Sequence, residues 1–219
     1  MNILVVSPHP DDETLGAGGT LLKMKKKGHN IFWLNITEVT EKLGWSKEYV
    51  AHRKEQIDQI VNCFKFDGFF DLSLEPTQLS RTDEGTIISR IKDVFDKVKP
   101  EWIIIPGAYD AHSDHRVVYN CCMAAAKSFR AQYLKRIMTM EIISETDYGF
   151  QNEKFEPNLF VDITDEIDNK IKAISIYDTE LEEFPFPRSI ENIRAHAMSW
   201  GGRCSCAYAE AFCVLKQIE

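Results

Sequence analysis

Five short, largely apolar runs recur along the chain, with helix-length stretches between them: Ile3–Ser7, Ile31–Thr37, Phe69–Leu74, Trp102–Pro106 and Ile137–Ile143. Runs this short and this apolar suit strands covered on both faces, as in a parallel sheet. The intervening stretches have helical patterns. Thr20–Lys27 follows a glycine cluster and stops at Gly28, and Ser46–Phe64 places Val50, Ile57, Ile60 and Val61 near helical period. Ile87–Val98 ends at Pro100, and His115–Arg130 follows the fourth strand. This alternation predicts a Rossmann-like α/β fold: a mostly parallel, doubly wound sheet with helices on both faces. The last third is less regular. Asp165–Tyr177 reads as helix, Phe184-Pro185-Phe186-Pro187 as a break, Arg188–Ser199 as helix and Ala211–Leu215 as a late strand. With no repeat or linker in its 219 residues, the chain reads as a single domain over 1–219.

The net charge of −8 argues against non-specific nucleic-acid binding, which needs Lys and Arg to replace phosphate counterions, and against anionic membranes. No apolar run approaches the ~18 residues of a membrane span, and residue 3 already belongs to a core strand, so a soluble, cytoplasmic protein is expected. Six cysteines without a Cys-x-x-Cys pair read as reduced thiols packed near a core, although Cys204-Ser-Cys206 has the spacing for a soft metal.

The topology makes a geometric prediction. If the fourth strand starts a second winding beside the first, a crevice opens at their C-terminal ends, where such sheets bind ligands. Strand one runs into His9-Pro10-Asp11-Asp12-Glu13, and strand four into Asp110-Ala111-His112-Ser113-Asp114-His115. Two clusters rich in His and Asp should therefore face one another. Catalytic zinc takes three His or carboxylate ligands and keeps one position for water. His9 and Asp12 offer two ligands, and one of His112 and His115 a third; spacing does not decide which. Asp11 and Asp114 are left as spare carboxylates. A metal to acidify water, a base and an oxyanion donor are the parts of a hydrolase.

Plainer readings exist for each piece. Asp11 or Asp12 could cap the next helix. Gly16-Ala17-Gly18-Gly19 could be a nucleotide loop, but it departs from Gly-x-Gly-x-x-Gly, and the adjacent carboxylates would repel a pyrophosphate. His112 and His115 could simply begin a helix. Both clusters at neighbouring strand ends are better explained together.

Ser7-Pro-His-Pro-Asp-Asp-Glu-Thr-Leu-Gly-Ala-Gly-Gly-Thr20, followed by His112-Ser-Asp-His115, resembles the PIG-L/LmbE family of metal-dependent N-deacetylases. Arg53 with Glu55, and Tyr208-Ala-Glu-Ala-Phe212, extend the resemblance over nearly the whole chain. It implies that His9, Asp12 and His115 bind the metal, Zn2+ or another divalent ion. Asp11 would be the general base. His112, as an imidazolium oriented or tuned by Asp114, would stabilise the oxyanion. Glu13 receives no chemical step.

The resemblance also implies a small-molecule substrate, an N-acetyl sugar or sugar conjugate, with Arg53 as a candidate contact. Trp45 and Trp200 are candidate stacking surfaces. His196 is expected at the surface or in the core, and Phe184–Pro187 is a candidate lid. The alternative is a non-catalytic carbohydrate- or nucleotide-binding module on the same fold, and an oligomer stays open.

Overall fold

The computed structural model describes residues 1–149 and 154–219. The strands are β1 (Asn2–Ser7), β2 (Asn30–Thr37), β3 (Gly68–Leu74), β4 (Trp102–Ile105), β5 (Arg136–Met140), β6 (Leu159–Asp162) and β7 (Ala209–Gln217). The helices are α1 (Asp12–Lys26), α2 (Lys47–Phe64), α3 (Glu84–Val98), α4 (Ser113–Ala125), α5 (Ile167–Ile174) and α6 (Ile190–Cys204). The described strands form one sheet in the order β3-β2-β1-β4-β5-β7-β6. β1 pairs parallel with both β2 and β4, so the direction of winding reverses between β1 and β4. β7 runs antiparallel to β5 and β6, the one described strand against the direction of the others, and β6 forms that edge of the sheet.

Strand residues alternate between two cores. Ile3, Val5, Ile31 and Trp33 pack under α1, α2, α5 and α6. Leu4, Val6, Leu34 and Ile36 pack under α3 and α4. Helices thus cover both faces, which accounts for strands apolar on consecutive residues.

Two elements depart from the sequence reading. α1 begins at Asp12 rather than Thr20, with the glycine cluster inside it. Glycine in a helix interior costs roughly 0.5–1 kcal/mol relative to alanine, but here close approach outweighs propensity. A Cβ on Gly16 would lie 2.7 Å from Met140 Cγ, and one on Gly19 would lie 2.8 Å from Ile163. β6 was not expected. It is a four-residue edge strand whose pairing with β7 exists only in the tertiary structure.

Candidate active site

The β1 and β4 strand ends bring the two clusters together. His9 lies in the loop after β1, and Asp12 is the first residue of α1. His112 is the N-cap of α4, and His115 sits in its first turn. The His9 ring centre is 4.5 Å from that of His112 and 5.4 Å from that of His115. One ring nitrogen from each of the three lies within 4.8 Å of the others. Asp12 Oδ2 reaches 3.4 Å from His115 Nε2 and 3.6 Å from His9 Nδ1, and it accepts the His9 backbone N–H at 2.9 Å.

Two further carboxylates hold the imidazoles. Asp110 Oδ2 lies 3.0 Å from His115 Nδ1 and accepts the Gly107 N–H at 3.1 Å, while its Oδ1 accepts from Thr146 Oγ1. Sequence reasoning gave Asp110 no role, although it lies in the same loop; a carboxylate five residues before His115, within reach of its other ring nitrogen, is the signal that could have found it. Asp114 meets its expected tie to His112 through its backbone N–H and its charge, but not through a carboxylate hydrogen bond. Its carboxylate turns to His9 Nε2 at 3.2 Å and to the backbone N–H groups of Thr77 and Leu79, not to the His112 ring. The reason is helical geometry. His112 Nδ1 accepts the Asp114 backbone N–H at 3.1 Å as a helix cap, and the Asp114 side chain points away toward the β3 loop. Burial, reinforced by the charges of His9 and His115, holds His112 down at about 4. A ring whose Nδ1 accepts a backbone N–H is a neutral imidazole, where the resemblance implies an imidazolium. With Nδ1 accepting, its proton sits on Nε2, which leaves a donor rather than a lone pair.

Asp11 stands at the N-cap of α1 but makes no side-chain cap. Its backbone has φ 139°, a region that costs a non-glycine residue of the order of 1–3 kcal/mol. Glu13 helps hold this conformation by accepting the Asp11 N–H at 3.1 Å; its other oxygen accepts from Tyr177 Oη and Thr14 Oγ1. The Asp11 carboxylate accepts from Arg188 Nη1 at 2.7 Å. Arg188 also donates to Ser144 Oγ and Glu145 Oε1. Arg188 is the main residue that sequence reasoning missed: it lies 177 positions from its partner, and nothing local marks it.

These charges define what the cluster attracts. Burial disfavours charge on His9, but hydrogen bonds with Asp114 and Asp12 outweigh it and raise its pKa to about 9. For His115, burial is outweighed by the Asp12 charge and by Asp110, and the pKa rises to about 10. Burial would raise Asp12, yet the two imidazoles hold it far below the carboxylate range. The cluster draws cations into a buried place, and the imidazole and carboxylate donors of His9, Asp12 and His115 suit a divalent metal in place of those protons. Burial pushes Asp11 up from the usual carboxylate range, against the pull of Arg188. Burial also raises Glu13, to about 7.

A cavity of about 650 Å3 opens over this cluster, its wall including His9, Asp11, His112, Glu145 and Arg188. Arg53 lies on that wall but is only 6% exposed. It bonds to Tyr49 Oη, Thr179 Oγ1, Glu180 and the Pro10 carbonyl, so it is not a solvated helix residue. Trp45 lines the cavity. Trp200 and His196 line a separate, far smaller pocket, where Trp200 Nε1 donates to Glu141 at 2.6 Å. The Phe184–Pro187 segment precedes Arg188, and Phe184 itself is exposed. Cys121 and Cys122 are buried as expected, but Cys63 and Cys204 are exposed.

A model of the PIG-L family, GlcNAc-PI de-N-acetylase, matches residues 4–126, more than half of the chain. The protein belongs to that family and is a hydrolase of the deacetylase class. Two of its relatives carry the names of amino-sugar deacetylases. Diacetylchitobiose deacetylase of Thermococcus kodakarensis is 24% identical over 95% of this chain and 80% of its own length. The probable N-acetyl-alpha-D-glucosaminyl L-malate deacetylase 2 of Bacillus subtilis is 24% identical over 83% of this chain and 84% of its own. The solved structure of N,N'-diacetylchitobiose deacetylase from Pyrococcus horikoshii superposes with a TM-score of 0.79 at 21% identity, covering 98% of this chain and 84% of that one.

Proposed function

We propose that the protein is a zinc-dependent N-deacetylase that hydrolyses the acetamide of an N-acetylated amino sugar or sugar conjugate in the cytoplasm. Asp11 carries this reading. It is a carboxylate on the cavity wall, next to Asp12 in sequence, but bonded to Arg188 rather than to an imidazole. A binding module has no use for a strained, spare acid beside a complete donor set.

His9, Asp12 and His115 would hold the metal, which when bound supplies a Lewis acid that makes water easier to deprotonate. Asp110 and Asp114 orient His115 and His9 from behind. Asp11 takes the proton of the attacking water, and Arg188 points the carboxylate and favours its ionised form. His112 Nε2–H donates to the acetyl oxygen as charge builds there, acting as a neutral imidazole. As the C–N bond breaks, Asp11 returns the proton to the amine, leaving acetate and a free amino sugar. Arg53 donates to the Pro10 carbonyl and so braces the loop that carries Asp11.

Elemental analysis paired with acetate release over a panel of N-acetyl sugars tests the assignment. One divalent metal per chain, lost in His115→Ala, is expected together with acetate release by the wild type. Equal metal in both proteins would remove His115 from the ligand set. Sugar binding by the metal-loaded protein without acetate release would favour the binding module.

A further inference from the structure

We infer that the outer half of the cavity is a second saccharide subsite with Trp45 as its platform, so that the substrate is an uncharged N-acetylated disaccharide or longer chain. The inference rests on the amino-sugar reading above and narrows it.

Trp45 is 42% exposed on the cavity wall, unusual for so large an apolar ring. It is nevertheless held in place. Gly44, with φ 92°, ends a turn just before it, and Ser46 caps α2 just after it by accepting the Tyr49 N–H. One face of the indole lies on the Tyr49 ring, 4.6 Å between centres and 20° from parallel. Tyr49 Oη accepts from Arg53 Nη2 at 2.9 Å, and Arg53 Nη1 donates to the Pro10 carbonyl, next to Asp11. Trp45, Tyr49 and Arg53 therefore form a ledge along one side of α2, from the rim of the cavity to the reacting end. The Trp45 and Tyr49 ring centres are 4.6 Å apart and Arg53 Cζ lies 5.6 Å from the Tyr49 ring, so the ledge runs for up to about 10 Å, longer than one sugar ring. An ordered aromatic face offers a flat surface for the apolar C–H face of a pyranose at little ordering cost.

Charge decides against an acidic appendage. Both guanidinium groups on the wall are committed: Arg53 to Glu180, and Arg188 to Asp11, Glu145 and Glu180. Neither leaves a free fork for phosphate or carboxylate. Lys54 brings an exposed positive charge to the wall, but Glu38, Glu145 and Glu180 on the same wall outweigh it, and Gln78 adds a neutral donor suited to hydroxyls.

The test compares N-acetylglucosamine, N,N'-diacetylchitobiose and N-acetylglucosaminyl malate. In an Asp11→Asn background, which leaves the sugars uncleaved for titration, the disaccharide should bind at least about tenfold more tightly than the monosaccharide. Adding Trp45→Ala should erase that difference, and Trp45→Phe should restore much of it, which a folding defect would not do. Turnover by the otherwise native enzyme should follow suit: Trp45→Ala lowers kcat/KM about tenfold more on the disaccharide than on the monosaccharide. Equal binding of both sugars, a preference indifferent to residue 45, or tightest binding of the malate conjugate would overturn the subsite. Preserved disaccharide binding with no acetate release would sink the deacetylase assignment alone.

Discussion

The buried pair Lys170–Glu210 allows a quantitative test of how α1 is held. Lys170 Nζ lies 2.6 Å from Glu210 Oε1 and also donates to the Leu15 carbonyl at 2.7 Å. The Glu210 carboxylate accepts the Gly19 and Thr20 backbone N–H groups at 2.8 and 2.7 Å. Both side chains are about 95% buried. Replacing Lys170 by Met strands a buried carboxylate, and replacing Glu210 by Gln strands a buried ammonium. Breaking such a pair costs about 3–5 kcal/mol. For a domain of this size each kcal/mol moves the melting temperature by roughly 2–4 °C, so either single variant should melt about 6–20 °C below wild type. The double variant Lys170→Met with Glu210→Gln removes both charges and keeps an oxygen for the helix N–H groups. It should lose markedly less than the two single losses added, with coupling of about 1–3 kcal/mol. Thermal and urea melts of wild type, Lys170→Met, Glu210→Gln and the double variant supply the cycle. Single variants within about 2 °C of wild type, or strictly additive losses, would refute the reasoning.

Asp11→Asn should keep its metal and lose about 10²–10⁴-fold in kcat, since the amide can accept no proton; near-normal turnover at full metal content would remove Asp11 as the base. His112→Ala should also keep its metal while losing about 10²–10³-fold in kcat, the usual cost of one oxyanion donor. Metal loss in that variant, measured on the same preparation, would instead make His112 a ligand. Glu13 carries a stability prediction. Burial raises its pKa from 4.5 to about 7, so its contribution is fully present below pH 4.5 and is lost as pH rises through about 7, by of the order of 3 kcal/mol. In chelator-treated protein Glu13→Gln should therefore raise the melting temperature at pH 8.5 and change it little at pH 4.5; the opposite pattern would place the proton elsewhere.

What the sequence disclosed, and what it hid, divide along physical lines. The winding reversal between β1 and β4 was legible because it follows from the order of short apolar strands and helices. The meeting of His9, Asp12, His112 and His115 follows from that reversal, since each lies within a few residues of a strand end. The start of α1 was hidden because its glycines serve contacts with Met140 and Ile163, residues more than a hundred positions away. Arg188 was hidden for the same reason. The direction of the Asp114 side chain depended on the capping geometry at His112, where a one-residue rotation around α4 decides which imidazole a carboxylate meets.

The backbone at Asp11 has a consequence for how such a chain can change. With φ 139° and a carboxylate that burial makes reluctant to ionise, this residue opposes folding twice over. Glycine there would relax the backbone and remove the buried acid, at an entropic cost of under about 1 kcal/mol. Selection on thermal tolerance alone would thus drift toward an inert protein that folds better than its parent. Variants screened only for heat resistance should be enriched at residue 11, and activity is the pressure that keeps an aspartate there.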